Sequence, residues 1–355
     1  MNQKEIALER VINQQIAASA CTSPSEVVMH MGAVQAQDYA GSKWAVGLRL
    51  PGSTDAAIEQ AFAGKEIVRT WALRGTLHLV AACDLRWLLG LVGPVVIRKN
   101  ARRYRELGLD DHTLARSSRV IREALQDGNA LDRPSLRAIL EDRGILTGGQ
   151  RYVYMLQRAS LEGLIVQRGM CGNAPVFASP GPYPPGRELK DRSDALRELA
   201  RRYFTSHGPA TLKDFTWWSG LPASDARAGL EAAAPGLIRT ELDNLSFIGP
   251  GNTASAEEEP PAMHLLPAYD EFLVGYKDRS AMAGHGKWRS LVLKNGIITP
   301  TIVIDGHIAG TWKKTVKNGS VRIVPTPFTP FRRGEAEAFS AAAQRYAEFL
   351  GITAG

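Results

Sequence analysis

Leu237-Ile238-Arg239-Thr240-Glu241-Leu242-Asp243-Asn244-Leu245-Ser246-Phe247-Ile248 is the stretch that decides the fold. The apolar and β-branched runs on either side of Asp243-Asn244 read as strand, turn, strand. Upstream, residues 193–206 place Leu196, Leu199, Ala200, Tyr203 and Phe204 at helical spacing. Residues 211–219 form a short helix capped by Thr211, and 223–233 a third. Three helices followed by a hairpin is the order of a winged helix, the elaborated form of helix-turn-helix.

The same order recurs towards the N-terminus, and a repeat says more than any single copy. Residues 116–126, 134–142 (Pro134 in the first turn) and 149–163 read as helices, the last with Tyr152, Met155, Leu156, Ala159 and Leu161 apolar. Gly163 ends it, and Leu164-Ile165-Val166-Gln167 to Pro175-Val176-Phe177 reads as a wing. A third copy opens the chain, with helices near 3–17, 24–34 and 54–63. Its hairpin runs from Ile67-Val68-Arg69-Thr70-Trp71 to Thr76-Leu77-His78-Leu79-Val80. Beyond 262 the chain turns to strands. Asp305-Gly306 follows Thr301-Ile302-Val303-Ile304, and Lys317-Asn318-Gly319-Ser320 carries Asn-Gly, the best type I′ hairpin signal. A small β-barrel or sheet with a closing helix at 334–350 is expected. Breaks rich in Pro, Gly or Glu at 179–187 and 249–262 complete the division. The expectation is an α+β chain of tandem winged-helix units at 1–112, 113–180 and 188–250, followed by a β-rich domain at 262–355.

The 355 residues carry 43 Lys and Arg against 36 Asp and Glu, a net charge of +7 that suits a polyanionic partner. Cys21, Cys83 and Cys171 lie far apart, without metal-ligand spacing, so no metal and no cofactor is expected. Sparse cysteines fit a reducing compartment. Met1-Asn2-Gln3-Lys4-Glu5-Ile6 opens a polar helix, unlike a signal peptide, and no apolar run reaches the roughly 18 residues of a membrane span. A cytoplasmic protein with no membrane partner is expected. Serine-elbow, P-loop and dinucleotide-binding fingerprints are absent.

Chemistry concentrates at residues 23–39. Ser23-Pro24-Ser25-Glu26 reads as a helix start, and Val27, Val28, Met31 and Val34 as its apolar stripe. Gln35-Ala36-Gln37-Asp38-Tyr39 leaves that helix. In extended backbone residues i and i+2 face the same way, so Gln35 and Gln37 are expected to present two amides together, with Ala36 in the core. An amide offers a carbonyl acceptor and an NH2 donor but no useful pKa. A pair of amides suits a reaction whose leaving group is already activated, such as a cationic N7-alkylated guanine, where water need only be oriented. Paired glutamines also occur as ordinary surface residues.

Gln35-Ala36-Gln37 resembles the Gln-apolar-Gln motif of the AlkZ family of bacterial DNA glycosylases. Trp71-Ala72-Leu73-Arg74-Gly75-Thr76-Leu77-His78-Leu79 is similar to that family's next block. So is Leu265-Leu266-Pro267-Ala268-Tyr269-Asp270-Glu271-Phe272-Leu273-Val274-Gly275-Tyr276-Lys277-Asp278-Arg279. The likeness spans nearly the whole chain. It implies winged helices in a C-shape around double-stranded DNA and a C-terminal β-domain. It further implies monofunctional hydrolysis of the N-glycosidic bond of N7-alkylguanines, including bulky adducts and interstrand crosslinks. Gln35 and Gln37 would orient the water. The sister YcaQ-like branch carries Asp at the position of Gln37, which places this chain with the AlkZ-like branch.

The resemblance also implies a hairpin near the minor groove, matched by Trp312-Lys313-Lys314 through Lys317-Asn318-Gly319-Ser320, whose charges suit phosphates. Lys43-Trp44 combines a charge with a stacking face. Arg74 and His78 lie on the first wing, within reach of a lesion strand, although Arg74 before Gly75 also suits a turn and His78 between leucines also suits the core. Tyr269-Asp270 would shape the pocket, or else cap a helix or hold a structural ion pair. No lysine carries the signature of a Schiff-base nucleophile. The alternative reading is a winged-helix transcription regulator without catalytic activity. Regulators of that kind dimerise over two half-sites, and no dimerisation helix is legible, so a monomer is expected.

Overall fold

The computed structural model describes residues 2–181, 189, 191–251, 263–283, 291–292 and 296–355. Most of the two expected breaks, at 182–187 and 252–262, lies outside the described residues.

The deciding stretch is a hairpin. Strands Leu237–Leu242 and Leu245–Pro250 pair antiparallel with Leu242 opposite Leu245. Asp243 and Asn244 take φ of 51° and 60°, the backbone of a type I′ turn. Before it stand helices Arg192–His207, Leu212–Ser219 and Ala223–Ala233. Thr211 and Asp214 cap the second reciprocally, each side chain taking the other's backbone N–H.

In the N-terminal part Gln3–Asn13, Pro24–Met31 and Asp55–Ala63 are helices as their patterns predict. Two further helices, Tyr39–Leu48 and Leu85–Glu106, have no legible amphipathic signal. Residues 41–47 of the first are buried in an unbroken run, so no period marks one face. The second carries Pro94 inside it, which reads as a breaker. No described helix is long and apolar enough to cross a membrane.

The hairpins expected as two separate wings are one sheet. Its order is Val34–Gln35, Leu77–Ala81, Ile67–Trp71, Val166–Cys171, Ala174–Ala178 and Ala130–Asp132. The join is the pairing of Arg69 with Gln167. Leu114, Ile121, Leu136, Met155, Leu156 and Phe177 form a separate core, which Tyr104 and Leu109 from before residue 113 also enter. In the first unit, Val28, Met31, Trp44 and Phe62 share a core with Leu265, Ile302, Trp312 and Tyr346.

The C-terminal strands run in the order Thr353–Ala354, Ser320–Pro327, His307–Lys317, Thr301–Ile304, Met263–Leu266. The outer two do not pair with each other, so among the described strands this is an open sheet and not a closed barrel. Asn318-Gly319 turns the long hairpin with φ of 51° and 72°, as its sequence predicts. Helix Glu335–Leu350 seats Ala342, Tyr346 and Phe349 in the shared core.

Candidate active site

The Gln35–Gln37 segment is held by its backbone from three sides. Val34 and Gln35 pair with Leu79 and His78, and the Ala36 N–H donates to the Leu77 carbonyl at 2.7 Å. The Gln35 N–H donates to Glu271 Oε1 at 2.7 Å, from the opposite end of the chain. Arg69 donates Nε to the Ala36 carbonyl at 2.8 Å and Nη2 to the Gln37 carbonyl at 3.4 Å. Its Nη1 reaches Gln167 Oε1 at 2.7 Å, so the 113–180 unit braces the motif as well. Ala36 is wholly buried, as its alternation predicts. The two amides do not share one environment. Strand pairing stops after Gln35, which is 9% exposed, whereas Gln37 is exposed at the start of helix Tyr39–Leu48. Asp38, the N-cap of that helix, is exposed and makes no side-chain capping bond.

Beneath Gln35 sits a buried polar cluster. Glu271 is fully buried and its Oε2 accepts from Trp218 Nε1 at 2.9 Å, with His207 Nε2 at 3.4 Å. Burial pushes its carboxyl up. The His207 contact, the charge that His207 and His78 carry only in acid, and the Arg74 charge outweigh that and hold it at about 2. Glu271 is therefore an anion, and its N–H donors account for it. Arg74 donates Nη2 to Gln35 Oε1 at 2.7 Å and Nη1 to the Trp218 carbonyl. Trp218 is thus a hub: its indole holds Glu271 and its carbonyl holds Arg74. His78 is fully buried, and its Nδ1 lies 2.9 Å from the Thr76 carbonyl, which can only accept. Nε2 is then a bare acceptor, buried without a partner. Burial, then the Arg74 charge, pushes His78 down to about 4, so it is neutral at pH 7.

Other expected contacts are drawn into the fold. Trp44 is a core residue, corrected from a stacking surface. Its Nε1 donates to the Leu265 carbonyl at 2.7 Å, and its ring packs on Tyr346 and Phe349 at centroid separations of 4.9 and 5.0 Å. Lys43 is buried and committed to Asp55 and Glu59, each at 2.7 Å. Asp270 is the structural alternative of its two readings: both oxygens meet Arg49 at 2.8 Å, and Oδ1 caps the Phe272 N–H. Tyr269 is half-buried in left-handed backbone with φ of 61°. Burial and the nearby Asp38 charge raise its hydroxyl. Lys313 and Lys317 are exposed on the long hairpin, and Lys314 leans on Tyr346, its Nζ 4.9 Å from the ring centre.

Sequence reading passed over Glu271, Trp218 and Arg69. Glu271 and Arg69 lay inside or beside blocks already singled out, but no local pattern marks which polar side chain turns inward. The arrangement offers a rigid backbone, one exposed amide, one buried amide and an exposed carboxylate. It has the parts to orient a small polar molecule.

The chain matches the family model described as DNA glycosylase AlkZ-like over residues 28–349. It is 23% identical over 345 residues to an interstrand DNA cross-link repair glycosylase of Streptomyces sahachiroi, covering 93% of this chain and 92% of that protein. The solved structure of the S. sahachiroi DNA glycosylase AlkZ superposes with a TM-score of 0.80 at 20% identity, across 100% of this chain and 99% of that one. The three blocks and the overall fold agree with a match of that extent: the chain belongs to the AlkZ-like family of DNA glycosylases.

Proposed function

We propose that this chain is a monofunctional glycosylase that hydrolyses the N-glycosidic bond of cationic N7-alkylguanines in double-stranded DNA, with water oriented by Gln35 and Gln37. The observation that carries the reading is the clamped backbone of the motif, which leaves the exposed Gln37 amide at a defined place. A cationic purine departs once water reaches C1′, so orientation of water by neutral amides suffices and no strong base is required. The exposed Asp38 charge beside Gln37 suits the developing sugar cation. Bulky adducts and interstrand crosslinks are included among the substrates, in line with the name of the Streptomyces relative.

The same reading takes the three helix–hairpin runs at 1–112, 113–180 and 188–250 as winged helices gripping DNA, with 262–355 as a supporting β-domain. Lys313 and Lys317 contact phosphates from the long hairpin. The protein acts as a cytoplasmic monomer and needs no cofactor. Release of free 7-methylguanine from methylated duplex DNA tests the reaction. Wild type should release it, and Gln37→Ala should slow release on the order of a hundredfold. Equal rates would remove Gln37 from the chemistry.

A further inference from the structure

We propose that Arg74 is a positioning residue that sets the Gln35 carboxamide with its oxygen inward and its NH2 towards the substrate. On this arrangement Gln37 is the water acceptor of the motif. The inference rests on the hydrolytic reading above and divides its labour between the two amides.

A guanidinium has five donors and no acceptor, so the Gln35 atom 2.7 Å from Arg74 Nη2 must be the oxygen. A flipped amide would set N–H against N–H. Arg74 is in turn immobilised. Nη1 is committed to the Trp218 carbonyl, and Glu271 lies close enough to balance its charge. Gly220 makes room for it: with φ of +71°, a Cβ there would lie 3.2 Å from Arg74 Cγ and 3.3 Å from its backbone nitrogen. The Arg74 backbone is itself left-handed at φ of 57°, a conformation that a non-glycine residue keeps only where its surroundings impose it. With both terminal nitrogens engaged inside the protein, this guanidinium is poorly placed to reach a phosphate.

The other end of Gln35 is free. Among the described residues its Nε2 has no hydrogen-bond partner and is not fully enclosed, so on a largely buried side chain it keeps a donor for a water molecule. A water that takes a hydrogen bond from Gln35 Nε2 and gives one to Gln37 Oε1 has a lone pair left for C1′. The oxygen bonds to C1′ as the C1′–N9 bond breaks. The electron pair of that bond neutralises the cationic purine, and one water proton passes to solvent.

The test is single-turnover excision of 7-methylguanine at saturating enzyme, alongside the salt dependence of binding to undamaged duplex. Arg74→Met should slow the saturated rate on the order of tenfold to a hundredfold. Its binding slope against salt should stay unchanged, and Arg74→Lys should recover part of the rate. Because Arg74 acts through Gln35, Arg74→Met in a Gln35→Ala background should add nothing. Gln35→Glu keeps an acceptor for Arg74 but lacks the NH2, and should be as slow as Gln35→Ala. A saturated rate that survives Arg74→Met while the salt slope falls by about 1 would make Arg74 a phosphate contact and overturn the proposal. Multiplying effects in the double variant would overturn it too, and a wild-type rate in Gln35→Glu would remove the donor role. Should Arg74→Met fail to fold, Arg74→Lys and Gln35→Glu decide the same question. A wild-type protein that releases no 7-methylguanine would instead sink the hydrolytic reading, and the positioning role with it.

Discussion

The cluster under Gln35 and the long C-terminal hairpin are both rich in cations, yet they are built in opposite ways. Under Gln35, Arg69 and Arg74 each have two or more protein partners within the fold, and Glu271 and Trp218 close the network. On the hairpin, Lys313 and Lys317 stand exposed beside exposed Val316 and Val324, and only Lys314 rests on the body of the protein. A polar group shut away from water needs a fixed partner, so burial converts charge into geometry. An exposed lysine is solvated and free to follow a phosphate backbone of any sequence. The contrast separates cations fixed in one geometry by the fold from cations left free in solvent.

The largest effect that bears on this contrast is expected at Asp270. Asp270→Ala leaves the fully buried Arg49 guanidinium without its carboxylate. Loss of one partner from a buried pair costs about 3–5 kcal/mol, read as a lower melting temperature. The salt dependence of DNA binding should not move. A small thermal shift, or a changed salt slope, would break the claim that this buried half is structural.

A second effect is pH dependence of stability. Burial holds His78 and His264 at about 4, against 6.5 for an ordinary histidine. As pH falls below 6.5 the unfolded chain takes up protons that these folded side chains refuse. Stability is therefore full above 6.5 and declines through the window down to about 4. Each histidine contributes a slope approaching about 1.4 kcal/mol per pH unit. Glu271, held at about 2, loses its contribution only below the ordinary carboxylate range and does not offset this decline. Melting temperatures measured from pH 7 to 5 should fall steadily, and a flat profile would mean that the buried half tolerates charge.

The smallest stability effect belongs to the hairpin. Lys313→Ala/Lys317→Ala should leave stability within about 0.5 kcal/mol. On the proposed reading, in which both lysines contact phosphates, it should lower the salt slope of duplex binding by about 2. An unchanged slope would sharpen the comparison differently, moving the DNA grip to another face.

Much of this molecule was legible locally. The type I′ turns at Asp243-Asn244 and Asn318-Gly319, the capped helix starts at Ser23 and Thr211, and the inward-facing Ala36 all follow from residues within four positions of one another. The Gln35-Ala36-Gln37 motif is different: paired glutamines are common on surfaces, and its likeness to the family motif, more than its own residues, singles it out. The lysine and tryptophan of Lys43-Trp44 read as a DNA contact because a dipeptide carries no record of what covers it; a buried helix without amphipathic period hid both.

The sequence by itself determined the order of helices and hairpins, the turn geometry and the identity of the two amides. Only the tertiary structure decided that Gln35 is anchored and Gln37 open, that two hairpins join in one sheet through Arg69 and Gln167, and that Glu271 underlies the candidate site. The physical reason is range. Turns, caps and amphipathic faces are set by contacts between near neighbours in the chain. The bonds that orient Gln35 join it to Arg74, 39 residues away, and to Glu271, 236 residues away. Partners at that separation are chosen by packing, where each buried donor must find the acceptor that folding happens to bring within reach.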